Sequence, residues 1–381
     1  MTATHRAVAR MEIETMPLIS ADSHVEEPPG LWVENLHESA KAALPLEMSA
    51  SSESQSAFAL RISAADASKL TEDELEGMRH RQRTASLGTT SVEARYQIMR
   101  EDGIAGECIY PTAGLYLWNI EDPEVGKSCA RIYNDWILDT LEARSPRFRC
   151  AGLVPTWNVR DAMDEVLRIV ERGLAAVMLP LVGTPPYNHR DWEPLWSLIE
   201  DTGRPIVMHQ GSGHDMLFYR GRGAAVANLL ATQSMAPRTA ALLATSGVLA
   251  NHPGLHFVFV ETNAGWLAWL MSTLDHYNAA FKQNPGWVRP MLPEPPSFYV
   301  KRQLHATFQN DEVAIGNIAK TGSDPLLWGS DYPHTEGTYP HSRKVVSVLC
   351  AGLEPAETAA IVCDTAVRLF DFESSVLTDP V

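Results

Sequence analysis

The sequence is short of paired cysteine, of positive charge and of long apolar runs, and each shortage removes a class of protein. Its five cysteines (Cys108, Cys129, Cys150, Cys350 and Cys363) are scattered, with no C-x-x-C pair among them. No disulfide framework is expected; the thiols are those of a reducing, cytoplasmic compartment. Lysine and arginine total 31 against 47 aspartates and glutamates, a formal charge of −16. That balance argues against nucleic acid and anionic membrane surfaces, which need a basic face. No apolar stretch approaches the ~20 residues of a spanning helix, and the opening MTATHRAVARMEIET has no apolar core of a signal peptide. No flavin or nicotinamide fingerprint is visible.

What is present is a regular alternation. With 45% apolar residues in 381, the chain can bury a large core. Short apolar runs, each ending in a polar or turn residue, occupy 18–24, 105–112, 148–156, 174–181, 205–211, 256–262, 304–310 and 326–331. The seventh is the least clear. Segments of helical period separate most of them, such as 160–172 and 192–202. Eight strand–helix units in one chain predict a (β/α)8 barrel formed as a single domain over 1–381. The stretch 36–95 is too long for one crossover and is read as an insertion after the first strand, a lid or subunit contact. The Pro-rich piece 284–296 is read as a loop, and the tail 352–372 as a terminal helix closing the barrel.

The chemistry gathers at strand tips. The first strand ends in ADSHVEEPP, and strand alternation puts Asp22 and His24 on one face with Ser20 below. Such a pair is a metal clamp, or else a helix cap beside a surface histidine. His209 ends Pro205–Met208 before a Gly-rich turn, either as a third donor or as a core histidine. Glu261 ends Phe257–Val260 and, if buried, needs a metal or an arginine. Asp331 ends the last strand; His334 follows as ligand, substrate contact or orienting group, and Glu336 is weaker. His252 and His256 fall at the opposite rim. His214 lies beyond His209 in a loop.

Together these residues resemble the amidohydrolase superfamily, in the branch of aminocarboxymuconate and resorcylate decarboxylases. The resemblance spans about Pro17 to Phe372. Asp22, His24, His209 and Asp331 match the family's metal motif, which implies a barrel with a divalent ion at its C-terminal rim. Two positions depart from it. The branch carries an acid/base histidine after strand six, where this chain has Glu261. Many binuclear relatives carry a carboxylated lysine on strand four, and 174–181 has none.

Charge arithmetic then suggests a particular reading. If Glu27 turns inward, Asp22, Glu27, Glu261 and Asp331 bring four negative charges, which two divalent ions balance. Glu261 and His334 become the catalytic groups, and Glu261 a bridge between the metals. The pattern is similar to the non-haem dinuclear iron oxygenases of the amidohydrolase fold, such as that of platensimycin and platencin biosynthesis. The expectation is therefore a monooxygenase holding two ions, Fe(II)/Fe(III) or manganese, on Asp22, His24, Glu27, His209, Glu261, Asp331 and His334. It would hydroxylate a C–H bond of a small organic acid or natural-product intermediate, with O2 and an external electron donor. Trp32, Trp118, Trp266 and Tyr339 would wall its pocket. The alternative is a mononuclear hydrolase or non-oxidative decarboxylase of a carboxylic acid, with a single ion such as zinc. A homo-oligomer is possible through the insertion.

Overall fold

The computed structural model describes residues 15–49, 71–73, 75–76, 88, 91–284, 286–379 and 381. Eight strands form the sheet: β1 (Leu18–His24), β2 (Ile104–Tyr110), β3 (Phe148–Leu153), β4 (Ala176–Met178), β5 (Ile206–His209), β6 (Phe257–Val260), β7 (Leu304–Phe308) and β8 (Leu326–Trp328). They pair in sequence order and in parallel. The circle closes where Ser23 bridges Tyr332, with His24 N–H donating to Tyr332 O at 2.6 Å and Asp331 N–H to Asp22 O at 2.8 Å. The chain is the expected (β/α)8 barrel, and the doubtful seventh strand is among its members.

Strands β5, β6 and β8 are buried along their whole length, and their apolar runs are continuous rather than alternating. The helices that cover them carry local start and stop signals. Helix α1 (Val92–Asp102) begins where Ser91 Oγ accepts the Ala94 N–H at 3.0 Å. It ends at Gly103, whose φ of 75° suits a residue without Cβ and turns the chain into β2. Helix α2 (Pro123–Thr140) starts on an Asp122 cap with proline at its first position. Helix α3 (Val159–Arg172) starts on Asn158 and stops at Gly173, with φ 98°, one residue before the run into β4. The tail is helical over Pro355–Ala359 and Thr365–Phe370, with a π-helical stretch Ala360–Asp364 between, and it packs on β1 and β8.

Most of the proposed lid or subunit-contact insertion lies outside the described residues. Its described part holds two short helical turns, Glu38–Lys41 and Leu46–Ser49, and the start of α1. All five cysteines are free and buried. Among the described residues no helix is long and apolar enough to cross a membrane.

Candidate metal centre

Parallel strands of one barrel all end at the same rim, and that is what brings distant residues together. Asp22 and His24 come from the end of β1, His209 from the end of β5, Glu261 from just past β6, and Asp331 and His334 from the turn after β8. Donor atoms of Asp22, His24 and His209 lie within 4.8 Å of one another, and so do those of His24, Glu261, Asp331 and His334. All but His334 are buried; the His334 side chain is 28% exposed and faces the mouth.

Second nitrogens and backbone carbonyls fix the histidines. His24 Nδ1 lies 2.9 Å from Pro111 O, and His209 Nδ1 lies 2.7 Å from Gln210 O. A carbonyl accepts only, so each Nδ1 carries the proton and each Nε2 presents a lone pair. Those two Nε2 atoms face each other at 3.0 Å. Asp22 Oδ1 sits 3.7 Å from His24 Nε2 and 4.0 Å from His209 Nε2. Glu261 Oε2 is 3.5 Å from His209 Nε2, and Asp331 Oδ1 is 3.8 Å from His24 Nε2. Asp22 Oδ1 and Asp331 Oδ2 are buried with no hydrogen-bond partner. A nest of lone pairs aimed inward, with orphaned carboxylate oxygens, fits a cation and little else.

Electrostatics points the same way. Burial, then the charge of Asp331, raises the Asp22 pKa well above the carboxylate range; burial, then Asp331, does so for Glu261, and burial, then Glu336, for Asp331. Burial, then the nearby His334, lowers His24, and burial pushes His209 down to about 3. Burial drives every group toward its neutral form; a divalent ion would supply the counter-charge of the carboxylates and take the neutral histidines as ligands.

Supports behind the donors hold them in place. Asp22 Oδ2 accepts from Thr307 Oγ1 at 3.0 Å and Gln309 Nε2 at 3.3 Å. Glu261 Oε1 accepts from Gln210 Nε2 at 3.0 Å. His334 Nδ1 donates to Asp331 Oδ1 at 2.7 Å. Behind β1, the buried Arg95 donates to His24 O at 2.9 Å, pairs with Glu107 at 2.7 Å, and lies 4.6 Å from the Tyr332 ring centre. Glu261 and Asp331 both adopt left-handed backbone, with φ of 57° and 54°. Non-glycine residues there are strained, and strain of this kind gathers at functional sites.

Of the seven side chains expected as ligands, Asp22, His24, His209, Glu261, Asp331 and His334 converge and Glu27 lies elsewhere. Glu27 does not join the cluster. Its carboxylate turns to the 112–114 turn and accepts the N–H groups of Thr112 at 3.3 Å, Ala113 at 2.9 Å and Gly114 at 2.8 Å. Burial raises its pKa to about 7, and those N–H groups hold it from rising further. Glu261 does face the cluster, and among the described residues no arginine pairs with it. Glu336 is exposed and acts only through its charge. Trp32 is core, with its Nε1 on Cys129 O, and Tyr339 O–H donates to Glu101. Thr307, Gln309, Gln210 and Arg95 were missed. For Thr307, Gln309 and Gln210 the one signal is a polar residue inside or just past an otherwise apolar strand; Arg95 lies on α1.

The amidohydrolase family model matches residues 51–372. The chain belongs to the amidohydrolase family. No protein of curated function matches this amidohydrolase in sequence. Solved structures match in fold. An amidohydrolase from Mycobacterium avium subsp. paratuberculosis K-10 superposes with a TM-score of 0.71 at 19% identity, covering 93% of this chain and 99% of that one. 5-Carboxyvanillate decarboxylase from Sphingomonas paucimobilis gives 0.68 at 18% identity, over 94% and 100%. A dihydroxybenzoic acid decarboxylase from Polaromonas sp. JS666, with bound manganese and the inhibitor 2-nitroresorcinol, gives 0.66 at 17% identity, over 95% and 99%.

These findings correct the dinuclear iron oxygenase. The similar structures of known reaction are decarboxylases, and the metal seen is manganese. The requirement for O2 and an electron donor falls with it. The charge count that called for two ions also loses its basis, because Glu27 is held 112–114 side and not in the cluster. The donors fall into two overlapping sets that share His24, each within 4.8 Å.

Proposed function

We propose that this amidohydrolase is a mononuclear, divalent-metal-dependent enzyme that decarboxylates a hydroxylated aromatic acid without oxidation. The observation that carries the reading is the pair of deprotonated Nε2 atoms 3.0 Å apart beside the orphaned Asp22 Oδ1. Asp22, His24, His209 and Asp331 would hold the ion, with Glu261 beside them. Nitrogen and oxygen donors without thiolate suit manganese or zinc. When bound, the ion supplies a Lewis acid that binds and neutralises the substrate's oxygen groups. The decarboxylases among the similar structures support the choice of reaction.

Decarboxylation replaces a carboxylate by hydrogen: the C–C bond breaks, CO2 leaves, and a proton must reach the carbon. This chain has two groups placed to hold one. His334 bonds Asp331 at 2.7 Å from the solvent side of the site, so it can pass protons between water and the buried carboxylate. Glu261 occupies the position where the branch has its acid/base histidine, and its burial favours the protonated acid. Glu261 delivers the proton, and the Asp331–His334 pair reloads the site.

The test is anaerobic. Manganese-loaded enzyme is given a panel of hydroxybenzoates and carboxyvanillates in D2O. The expected result is CO2 release with one deuterium on the vacated carbon, at the same rate with and without O2. Turnover that needs O2, or hydrolysis of an ester or amide in place of CO2 release, overturns the reading.

A further inference from the structure

Strand β7 supplies no donor to the cluster, yet its Thr307 touches two residues that do. The Thr307 hydroxyl donates to Asp22 Oδ2 at 3.0 Å and accepts the Glu261 backbone N–H at 2.7 Å. Thr307 is completely buried. The directions are not interchangeable. An ionised carboxylate only accepts and an amide N–H only donates, so the single hydroxyl hydrogen must go to Asp22 and the lone pair must take Glu261.

Two consequences follow for the site. With Oδ2 held by Thr307 and, at 3.3 Å, by Gln309, the Asp22 carboxylate cannot rotate, and Oδ1 stays turned among the histidine nitrogens. The second concerns backbone. Glu261 sits at φ 57°, a conformation that is costly for a non-glycine residue and persists only where surroundings impose it. Its amide is anchored by Thr307, so the same hydroxyl that aims Asp22 also fixes the turn from which Glu261 projects.

We infer that Thr307 is the positioning residue of the metal centre, joining the β1 donor to the β6 carboxylate through one hydroxyl. The inference rests on the metal reading of the site and deepens it: the strand that contributes no ligand sets the geometry of two that do. Buried groups behind metal ligands tune affinity by about 10- to 100-fold in general.

The experiment compares full-length wild type with Thr307→Val, Thr307→Ser and Thr307→Ala. It reads Mn2+ affinity by competition with a chromogenic chelator, and amide hydrogen exchange at Glu261 in metal-free protein. Valine keeps the volume and removes both bonds; it should weaken Mn2+ binding by about 10- to 100-fold and speed exchange at Glu261. Serine keeps the hydroxyl and should stay within about three-fold of wild type in both readings. Alanine should behave as valine does, and replaces it if the valine variant does not fold. Wild-type affinity in folded Val or Ala protein, unchanged exchange at Glu261, or equal weakening by serine overturns the role. A wild type that binds neither Mn2+ nor Zn2+ instead sinks the metal reading, and the exchange data then decide alone whether Thr307 holds the turn.

Discussion

His24 Nε2 and His209 Nε2 lie 3.0 Å apart with no proton available to join them, because both Nδ1 atoms are committed to backbone carbonyls. The barrel contains a contrast. His256 Nδ1 and His305 Nε2 are 3.1 Å apart at the other end of β6 and β7, and there only His305 gives its second nitrogen, Nδ1, to a carbonyl, that of Asp324. His256 is free to donate, so an ordinary hydrogen bond suffices. Between His24 and His209 only a cation resolves the two lone pairs.

One divalent ion per chain is expected by elemental analysis after loading with manganese or zinc, and none in His209→Ala. Ligand linkage stabilises the wild type by about 2.7 kcal/mol at 100 times the dissociation constant. Thermal unfolding should therefore shift upward with Mn2+ for wild type and stay flat for His209→Ala. Two ions per wild-type chain would contradict a single coordination sphere.

Backbone strain at Glu261 gives an opposite signature. Glu261→Gly removes a buried carboxylate and places at φ 57° the residue that tolerates it best. In chelator, the variant should be more stable than wild type by about 1–2 kcal/mol in urea titration. Its Mn2+ affinity should fall and its decarboxylase activity vanish. A loss of stability in the metal-free state would mean that the carboxylate serves the fold and not the centre.

The pH dependence has a defined sign. Asp22, Glu261 and Asp331 have raised pKa values in the fold. Such carboxylates contribute stability that is fully present below about pH 4 and is lost as pH rises toward the folded value. His24 and His209 are lowered, so their contribution is present above about pH 6.5 and lost as pH falls. Above about pH 6.5 the carboxylates alone remain. Bound metal takes over the ionised forms of Asp22 and Asp331 and displaces their protons. The stability gap between Mn2+-loaded and metal-free protein should widen from pH 6.5 to 8 on calorimetry. An unchanged gap would show the carboxylates to be ionised already without metal.

Glu27 separates structure from ligation. Its three N–H partners make it a cap on the 112–114 turn. Glu27→Gln keeps the shape but sets an amide N–H2 against a donor, so it should cost about 1–3 kcal/mol in urea denaturation while the metal content stays at one. A drop in metal content would return Glu27 to the ligand set.

Why Glu27 was misread and Asp22 was not is a matter of distance from the strand. Asp22 and His24 lie within β1, where alternation dictates facing. Glu27 lies beyond it, where direction depends on what the chain meets, and it meets the free N–H groups opening the short helix Ala113–Asn119. Thr307 was illegible for a related reason. Its position in a buried strand is visible as LHATF, but its value comes from Asp22 and Glu261, which are 285 and 46 residues away in sequence.

The sequence by itself determined the barrel and the rim. Period and turn signals are local, and eight parallel strands have one common end, so any donor at a strand tip was bound to arrive there. Tertiary structure alone decided which of those donors face one another. That depends on which lone pairs are left after backbone carbonyls, amides and hydroxyls have taken their share, and hydrogen bonds between remote segments have no trace in local pattern.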